Sequence, residues 1–282
     1  MIEEAGIIWI ASYPKSGNTW VRVILASLLA GGRAPDFRNF GGHCPNGADL
    51  WWIENTLDID TQDMTAPELA ASRTQAYRSA AREGRRWLKV HDCFTTDVFP
   101  LEATAGAVYI VRDPRDIASS WADHLNVDLD TAVSRLCTTD FMLGRAGIKY
   151  QDHVPQIMGS WSQNVRSWLD APPRPLLLLR YEDLLAEPAR HIGRLAQFLG
   201  LAADPDVVEA AAKACAFEAL YASEREHGFR ERLPHQKSFF RQGRAGAWRQ
   251  TLSDRQARRL WNEHRETMLF LGYSDHGVSP GE

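Results

Sequence analysis

The sequence predicts an α/β fold, in which a central parallel sheet of about four or five strands is flanked by helices on both faces. Three observations lead to this prediction. Short apolar runs of strand length alternate with segments of helical length along the chain. The strand-like runs are apolar throughout, which is typical of strands that helices cover on both faces. Polar segments follow several of these runs, and ligands in such folds bind outside the carboxyl ends of the strands.

The predicted elements have clear boundaries at both ends of the chain. The first strand covers residues 6–11 (GIIWIA), and a helix over residues 18–30 follows it and stops at two glycines. The last helix covers residues 253–271, with Ser253 as its N-cap. The other predicted helices are residues 67–82, 114–124, 188–199 and 206–215, and the other strands are residues 86–90, 107–111 and 175–180. Irregular structure is expected over residues 32–60 and 221–247, and short helices with a mobile loop over residues 125–160.

The composition favours a globular protein of a reducing, cytoplasmic compartment. The chain of 282 residues is expected to form a single domain over residues 1–282. The net charge of −4, from 36 acidic and 32 basic residues, argues against a general nucleic-acid binder. None of the four cysteines forms a C-x-x-C pair, so neither a zinc site nor a disulfide framework is expected. The N-terminus lacks the basic start of a signal peptide, and no run approaches the ~18 apolar residues of a membrane span.

The segment after the first predicted strand has the composition of an anion-binding loop. Residues 13–20 read YPKSGNTW, in which Pro14 and Gly17 favour a tight turn. Lys15 and its polar neighbours donate hydrogen bonds, and the following helix adds free N–H groups and the positive end of its dipole. Because the lysine precedes the glycine, this is not a Walker A loop. The alternative interpretation is an ordinary strand-to-helix turn with a surface lysine.

Three motifs, in this order, resemble those of sulfotransferases that use 3′-phosphoadenosine 5′-phosphosulfate (PAPS). Residues 13–20 resemble the family's 5′-phosphosulfate-binding loop. Residues 111–120 (VRDPRDIASS) resemble its second signature, an arginine followed eight residues later by a serine. Residues 241–248 (RQGRAGAW) resemble the segment that closes over the nucleotide, with Gln242 in place of the usual lysine. Taken singly, the second motif could be a surface salt-bridge cluster and the third a basic loop, but the resemblance extends in order from residue 7 to 250.

The resemblance implies a three-layer P-loop-like fold and a specific donor site. The nucleotide-binding residues that it implies are Lys15, Ser16, Gly17, Asn18, Thr19, Trp20, Arg112, Ser120, Tyr181, Phe217, Arg241, Gln242 and Gly243. Arg112 and Ser120 would bind the 3′-phosphate, and a guanidinium suits a phosphate dianion. Trp20, Tyr181 and Phe217 would contact the adenine, although Trp20 could also be a core aromatic. The implied product is adenosine 3′,5′-bisphosphate (PAP), and no metal is implied.

Lys89 and His91 form the candidate acceptor-side pair. They resemble the family's Lys-x-His, in which the histidine is the base. Alternate strand residues share a face, and an imidazole suits proton removal from a hydroxyl. The resemblance implies that Lys15 stabilises the leaving oxygen, that Lys89 holds the sulfuryl group, and that Ser120 holds Lys15 away until the acceptor binds. The alternative for His91 is a structural or exposed histidine.

The expected activity is therefore sulfuryl transfer from PAPS to a hydroxyl of a small molecule or natural product. No nucleic-acid partner and no membrane span are expected. The sequence leaves the acceptor's identity and the oligomeric state open. One alternative is a small-molecule kinase or another phosphate-handling enzyme, which would need a Walker A loop and a magnesium carboxylate. The other is a non-catalytic nucleotide-binding protein, which would lack Lys15, Lys89 and His91.

Overall fold

The computed structural model describes residues 5–37, 40–144, 152–170, 175–201, 204–241, 243–275 and 277–278. The strands in these ranges are β1 (Gly6–Ser12), β2 (Arg85–Val90), β3 (Thr104–Val111), β4 (Met142–Leu143), β5 (Gln156–Ile157), β6 (Leu176–Arg180), β7 (Tyr273–Ser274) and β8 (Gly277–Val278). A four-stranded sheet has the order β2–β1–β3–β6, and β1 pairs with β2 in parallel. The two short pairs, β4 with β5 and β7 with β8, are antiparallel.

Helices alternate with the strands of the main sheet, as the sequence predicts. They are α1 (Asn18–Leu29), α2 (Leu50–Leu57), α3 (Ala66–Arg82), α4 (Pro114–Leu125), α5 (Leu129–Cys137), α6 (Trp161–Asp170), α7 (Tyr181–Ala186), α8 (Pro188–Phe198), α9 (Pro205–Ala214), α10 (Phe217–His227), α11 (Trp248–Thr251) and α12 (Asp254–Phe270). Among the described residues, no helix is both long enough and apolar enough to cross a membrane.

The chain divides into two compact units. The first unit comprises Met1–Tyr13, Gly41–Tyr109 and Thr138–Leu178. The second unit comprises Pro14–Phe40, Ile110–Cys137 and Leu179–Glu282. The expectation of a single domain over residues 1–282 stays a prediction.

In the first unit, the core forms around β1, all of whose residues are buried. Trp9 contacts Tyr77 and Phe99 edge-on, with ring centroids 4.8 and 4.9 Å away. Its indole nitrogen donates a hydrogen bond to Thr104 Oγ1 at 3.0 Å, so the buried N–H of this large side chain is satisfied.

In the second unit, Arg115 at the start of α4 is almost fully buried. Its guanidinium forms a bidentate pair with Asp113, which is also the N-cap of α4, and donates to the carbonyls of Ser274 and Asp275. The guanidinium also lies 4.2 Å from the centroid of Trp248. These contacts attach the C-terminal β7 to the start of α4.

The predicted parallel sheet is confirmed with four strands, and the predicted helices are found with ends shifted by a few residues. Ser253 caps α12 by accepting from Gln256 N, as predicted. The prediction of irregular structure is wrong at α2 within residues 32–60 and at the second half of α10 within residues 221–247. The helices α6, α7 and α11 were not predicted. In α2, Ile53 is fully buried whereas Trp51 is 71% exposed. Because an apolar residue lies on the exposed face, the sequence does not show the apolar periodicity of an amphipathic helix.

Candidate functional site

In the second unit, the loop between β1 and α1 has the backbone of a tight cradle. Gly17 precedes α1 with a φ of 103°, and Lys15 has a φ of 67°. A Cβ on Gly17 would lie 2.8 Å from Cδ2 of Tyr181, so both the backbone angle and the packing require glycine. The left-handed conformation costs Lys15 about 1–2 kcal/mol, and such strain is commonly stored at functional sites.

Two polar atoms at this loop lack partners although they are buried. Ser16 is fully buried, and its Oγ has no hydrogen-bond partner among the described residues. The same holds, within that part of the chain, for Nε of Arg112. Buried polar groups are nearly always satisfied in proteins, so such atoms suit a polar ligand. Both atoms suit an anion, because a serine hydroxyl and a guanidinium N–H donate hydrogen bonds.

Three of the residues predicted to bind the nucleotide, Trp20, Arg112 and Tyr181, lie close together. The Arg112 guanidinium lies 4.3 Å from the centroid of the Tyr181 ring and donates to the carbonyl of Lys15 at 3.3 Å. Trp20 contacts Tyr181 edge-on at 5.4 Å. Its indole nitrogen donates to the carbonyl of Cys215 at 2.8 Å. Arg112 thus contacts both the first loop and the start of α7, while Trp20 contacts the residue after α9.

The third motif joins the same group. Gly243 has a φ of 55°, and a Cβ at this position would overlap the ring of Phe217. Arg112 donates to the carbonyl of Arg244 at 3.2 Å. Arg241 forms an ion pair with Asp123 at 3.2 Å. The predicted residue Gln242 lies outside the described residues.

Ser120 lies on α4, eight residues after Arg112, and is half-buried. The ammonium group of Lys15 lies 4.7 Å from the centroid of the Phe239 ring. The suggested contact in which Ser120 restrains Lys15 stays a prediction.

Two carboxylates of the second unit bind the predicted motifs, and the sequence analysis missed both. Asp116 is buried, and its two oxygens accept from the backbone N–H groups of Gly246 and Trp248 at 2.7 and 2.8 Å. Glu231 accepts from Thr19 Oγ1 at 2.9 Å and pairs with the Arg22 guanidinium at 2.6 Å. The only sequence signal for Asp116 was its place in the second motif, and Glu231 had none.

In the first unit, His91 follows β2 directly and is oriented through one ring nitrogen. Its Nδ1 lies 2.8 Å from the backbone carbonyl oxygen of Ser12 and 3.4 Å from Ser12 Oγ. Because a carbonyl only accepts, Nδ1 carries the proton in this contact and Nε2 keeps its lone pair. A neutral imidazole held in this tautomer can accept a proton from a hydroxyl.

Lys89 is fixed by backbone pairing on the outer side of β2. Its N–H donates to the carbonyl of Pro45, and its carbonyl accepts from Gly47 N, both at 2.9 Å. Lys89 and His91 are both half-buried, whereas Val90 between them is fully buried. This alternation agrees with the prediction that the two side chains share a face.

His153 lies beside Lys89, a proximity that its isolated position in the sequence did not suggest. Burial lowers the pKa of His153, the neighbouring Asp49 opposes that shift, and the charge of Lys89 lowers the pKa further. His153 Nε2 lies 3.8 Å from a carboxylate oxygen of Asp49. The charge of Lys89 therefore acts on an imidazole other than that of His91, and it disfavours protonation of that imidazole.

Residues 6–269 match the family model of the sulfotransferase domain. The chain belongs to the sulfotransferase family. Cytosolic sulfotransferase 17 of Arabidopsis thaliana is 30% identical over 276 residues, which cover 89% of this chain and 71% of that protein. Sulfotransferase 1A1 of Rattus norvegicus is 26% identical over 273 residues, which cover 92% of this chain and 83% of that protein.

Solved structures of sulfotransferase-like proteins share the fold. The mouse sulfotransferase SULT7A1 complexed with PAP superposes with a TM-score of 0.60 at 19% identity, over 94% of this chain and 85% of that one. A retinol dehydratase in complex with androsterone and the inactive cofactor PAP gives 0.60 at 18% identity, over 93% and 80%. The family and the fold that the motifs predicted are thus confirmed.

Proposed function

We propose that this sulfotransferase transfers the sulfuryl group of PAPS to a hydroxyl of a small molecule or natural product, with His91 as the general base. The observation that carries the assignment of the PAPS site is that two buried hydrogen-bond donors, Ser16 Oγ and Arg112 Nε, have no partner among the residues that the structure describes. A ligand with phosphate-type groups would satisfy both of these donors. The relatives solved with PAP bind a nucleotide of that chemistry.

The residues of the second unit fit such a nucleotide. The loop residues Lys15, Ser16, Gly17, Asn18 and Thr19 would hold the 5′-phosphosulfate with backbone and side-chain donors at the start of α1. Arg112, with Ser120, would hold the 3′-phosphate. The aromatic residues Trp20, Tyr181 and Phe217 would contact the adenine, and the segment with Arg241, Gln242 and Gly243 would cover the nucleotide. When bound, PAPS supplies the sulfuryl group that is transferred.

The catalytic roles follow from charge and proton positions. His91 Nε2 would take the acceptor's hydroxyl proton, because the Ser12 carbonyl holds the proton of the ring on Nδ1. Lys15 would stabilise the charge that develops on the leaving oxygen, and Lys89 would hold the sulfuryl group. Sulfuryl transfer resembles phosphoryl transfer in that the protein mainly positions groups and stabilises charge.

The proposal is tested by measuring transfer from labelled PAPS to a panel of phenols and alcohols. His91→Ala should lower kcat by about 10²–10⁴-fold, the usual contribution of a positioned base, while the Kd for PAP stays within twofold of wild type. His227→Ala, at the exposed end of α10, is the matched histidine control and should keep full activity. Full turnover in His91→Ala would exclude His91 as the base.

A further inference from the structure

The residue after His91, Asp92, is a buried carboxylate that pairs with an arginine. Asp92 is 1% exposed, and both its oxygens accept from the guanidinium of Arg73 on α3, at 2.9 and 2.7 Å. Arg73 is 3% exposed. Arg73 Nε donates to the hydroxyl of Tyr77 at 2.6 Å, and that hydroxyl donates to the carbonyl of Gly47 at 2.9 Å. The ion pair is therefore part of a connected network in the interior of the first unit.

Side chains of α6 hold the two peptide carbonyls at this point. Asn164 is fully buried, and its Nδ2 donates to the carbonyl of His91 at 2.9 Å. Its Oδ1 accepts from the hydroxyl of Tyr109 at 2.8 Å, which fixes the orientation of the amide. Trp168 Nε1 donates to the carbonyl of Asp92 at 2.9 Å. Both peptide carbonyls that flank the turn out of β2 are thus held by α6.

The position of the imidazole is consequently set at three points. Nδ1 is held by the Ser12 carbonyl, the peptide carbonyl of His91 by Asn164, and the next residue by the Arg73–Asp92 pair. A buried ion pair is weak evidence of a contribution to stability, because well-packed apolar residues of similar volume usually replace it at no loss. In addition, the pair restrains the orientation of the Asp92 carboxylate, because a bidentate guanidinium–carboxylate contact needs two parallel hydrogen bonds.

We propose that Asp92, Arg73 and Asn164 form a positioning cluster that holds the His91 imidazole in the orientation needed to remove a proton from the acceptor. This proposal rests on the proposed function, because it requires His91 to be the base. It predicts that loss of the cluster lowers kcat and leaves donor binding intact, since the donor-binding residues belong to the second unit. A misplacement of a reacting group by about 1 Å can cost about 10²-fold in rate.

The test replaces the ion pair as a whole, so that no charge is left buried alone. Arg73→Met combined with Asp92→Leu should keep the melting temperature near that of wild type and lower kcat by about tenfold or more. The Kd for PAP should be unchanged. The matched control is Arg78→Met with Glu102→Leu, which removes an exposed ion pair of the same unit. It should leave the melting temperature, kcat and the Kd for PAP unchanged.

Asn164→Ser provides a second variant that leaves the ion pair in place. It replaces the amide that donates to the His91 carbonyl by a shorter hydroxyl, and it should also lower kcat at unchanged Kd for PAP. If the double variant does not fold, Asn164→Ser tests the positioning proposal by the same criterion, a lower kcat at unchanged Kd for PAP. Wild-type kcat in a folded variant would overturn the proposal and leave the cluster with a structural role only.

His91→Ala in the same series separates the two proposals. If His91→Ala is inactive and the cluster variants keep wild-type kcat, the positioning proposal fails and the base assignment stands. If His91→Ala keeps full turnover, the base assignment fails first, and the positioning proposal falls with it.

Discussion

Replacing Asp116 by asparagine should weaken nucleotide binding without touching a nucleotide-binding side chain. Asp116 is 2% exposed, and its two oxygens hold the N–H groups of Gly246 and Trp248 in the third motif. An asparagine keeps one acceptor and turns an NH₂ group toward the other N–H. The loss of one charge-assisted hydrogen bond is worth about 1.5–3 kcal/mol, and an unsatisfied buried donor adds about 1–3 kcal/mol.

The lower part of this range applies, because burial raises the pKa of Asp116, against the opposing effect of Arg112. The carboxylate form has thus already lost part of its advantage over a neutral side chain. A loss of about 2.5 kcal/mol, the lower limit of the summed range, in the contacts that hold Gly246 and Trp248 weakens binding by up to about 70-fold.

Calorimetric titration with PAP measures this effect directly. Asp130→Asn is the matched control, since Asp130 is an exposed carboxylate on α5 that pairs with Arg255, and it should leave the Kd unchanged. A Kd for Asp116→Asn within twofold of wild type would refute the reasoning that this carboxylate organises the third motif for nucleotide binding.

Three further predictions concern the glycine loop, a buried acid and a buried thiol. Gly17→Ala places a Cβ against Tyr181 and should weaken PAP binding by about 5- to 150-fold, from strain of about 1–3 kcal/mol. Gly31→Ala, which has a similar left-handed backbone but open space, should not change the Kd. Burial raises the pKa of Glu182 from 4.5 to about 7, so the folded state binds this proton more tightly than the unfolded state. The free energy of unfolding should therefore fall by at most about 3 kcal/mol as pH rises through that interval, and urea titrations of Glu182→Gln should lack this slope. Burial raises the pKa of Cys215 to about 12, so mass spectrometry should find this thiol alkylated at pH 8 only after unfolding. Rapid alkylation of native protein would contradict that prediction.

The elements that the sequence predicted are those with local signals. The run of β1 is apolar from end to end, and the structure buries all of it. Ser253 and Gln256 form a capping box within four residues of chain, so the start of α12 could be predicted locally. The loop around Gly17 has several residues of types that bind anions in one short stretch, and the structure gives Gly17 the positive φ that glycine permits.

The contacts that the sequence could not predict join residues far apart in the chain. Asp116 and Gly246 are separated by 130 residues, and Asn164 reaches the carbonyl of His91 across 73. Neither contact leaves a periodic pattern, because each depends on a single side chain that meets a backbone group of another element. Asp92 shows the same limit, since it directly follows His91 in the chain, whereas its carboxylate pairs with Arg73 of a different element.

Calorimetric titration of the wild-type protein with PAP, with ATP and 5′-AMP as matched nucleotides, tests the central claim most directly. Selective, tight binding of PAP is expected, because the loop around Gly17 would hold the 5′-phosphate and Arg112, whose Nε has no partner among the described residues, would hold the 3′-phosphate. Arg112→Ala should remove most of that selectivity, since the 3′-phosphate distinguishes PAP from 5′-AMP. Equal binding of ATP and PAP, or no binding of PAP, would contradict the assignment of this site to a PAPS donor.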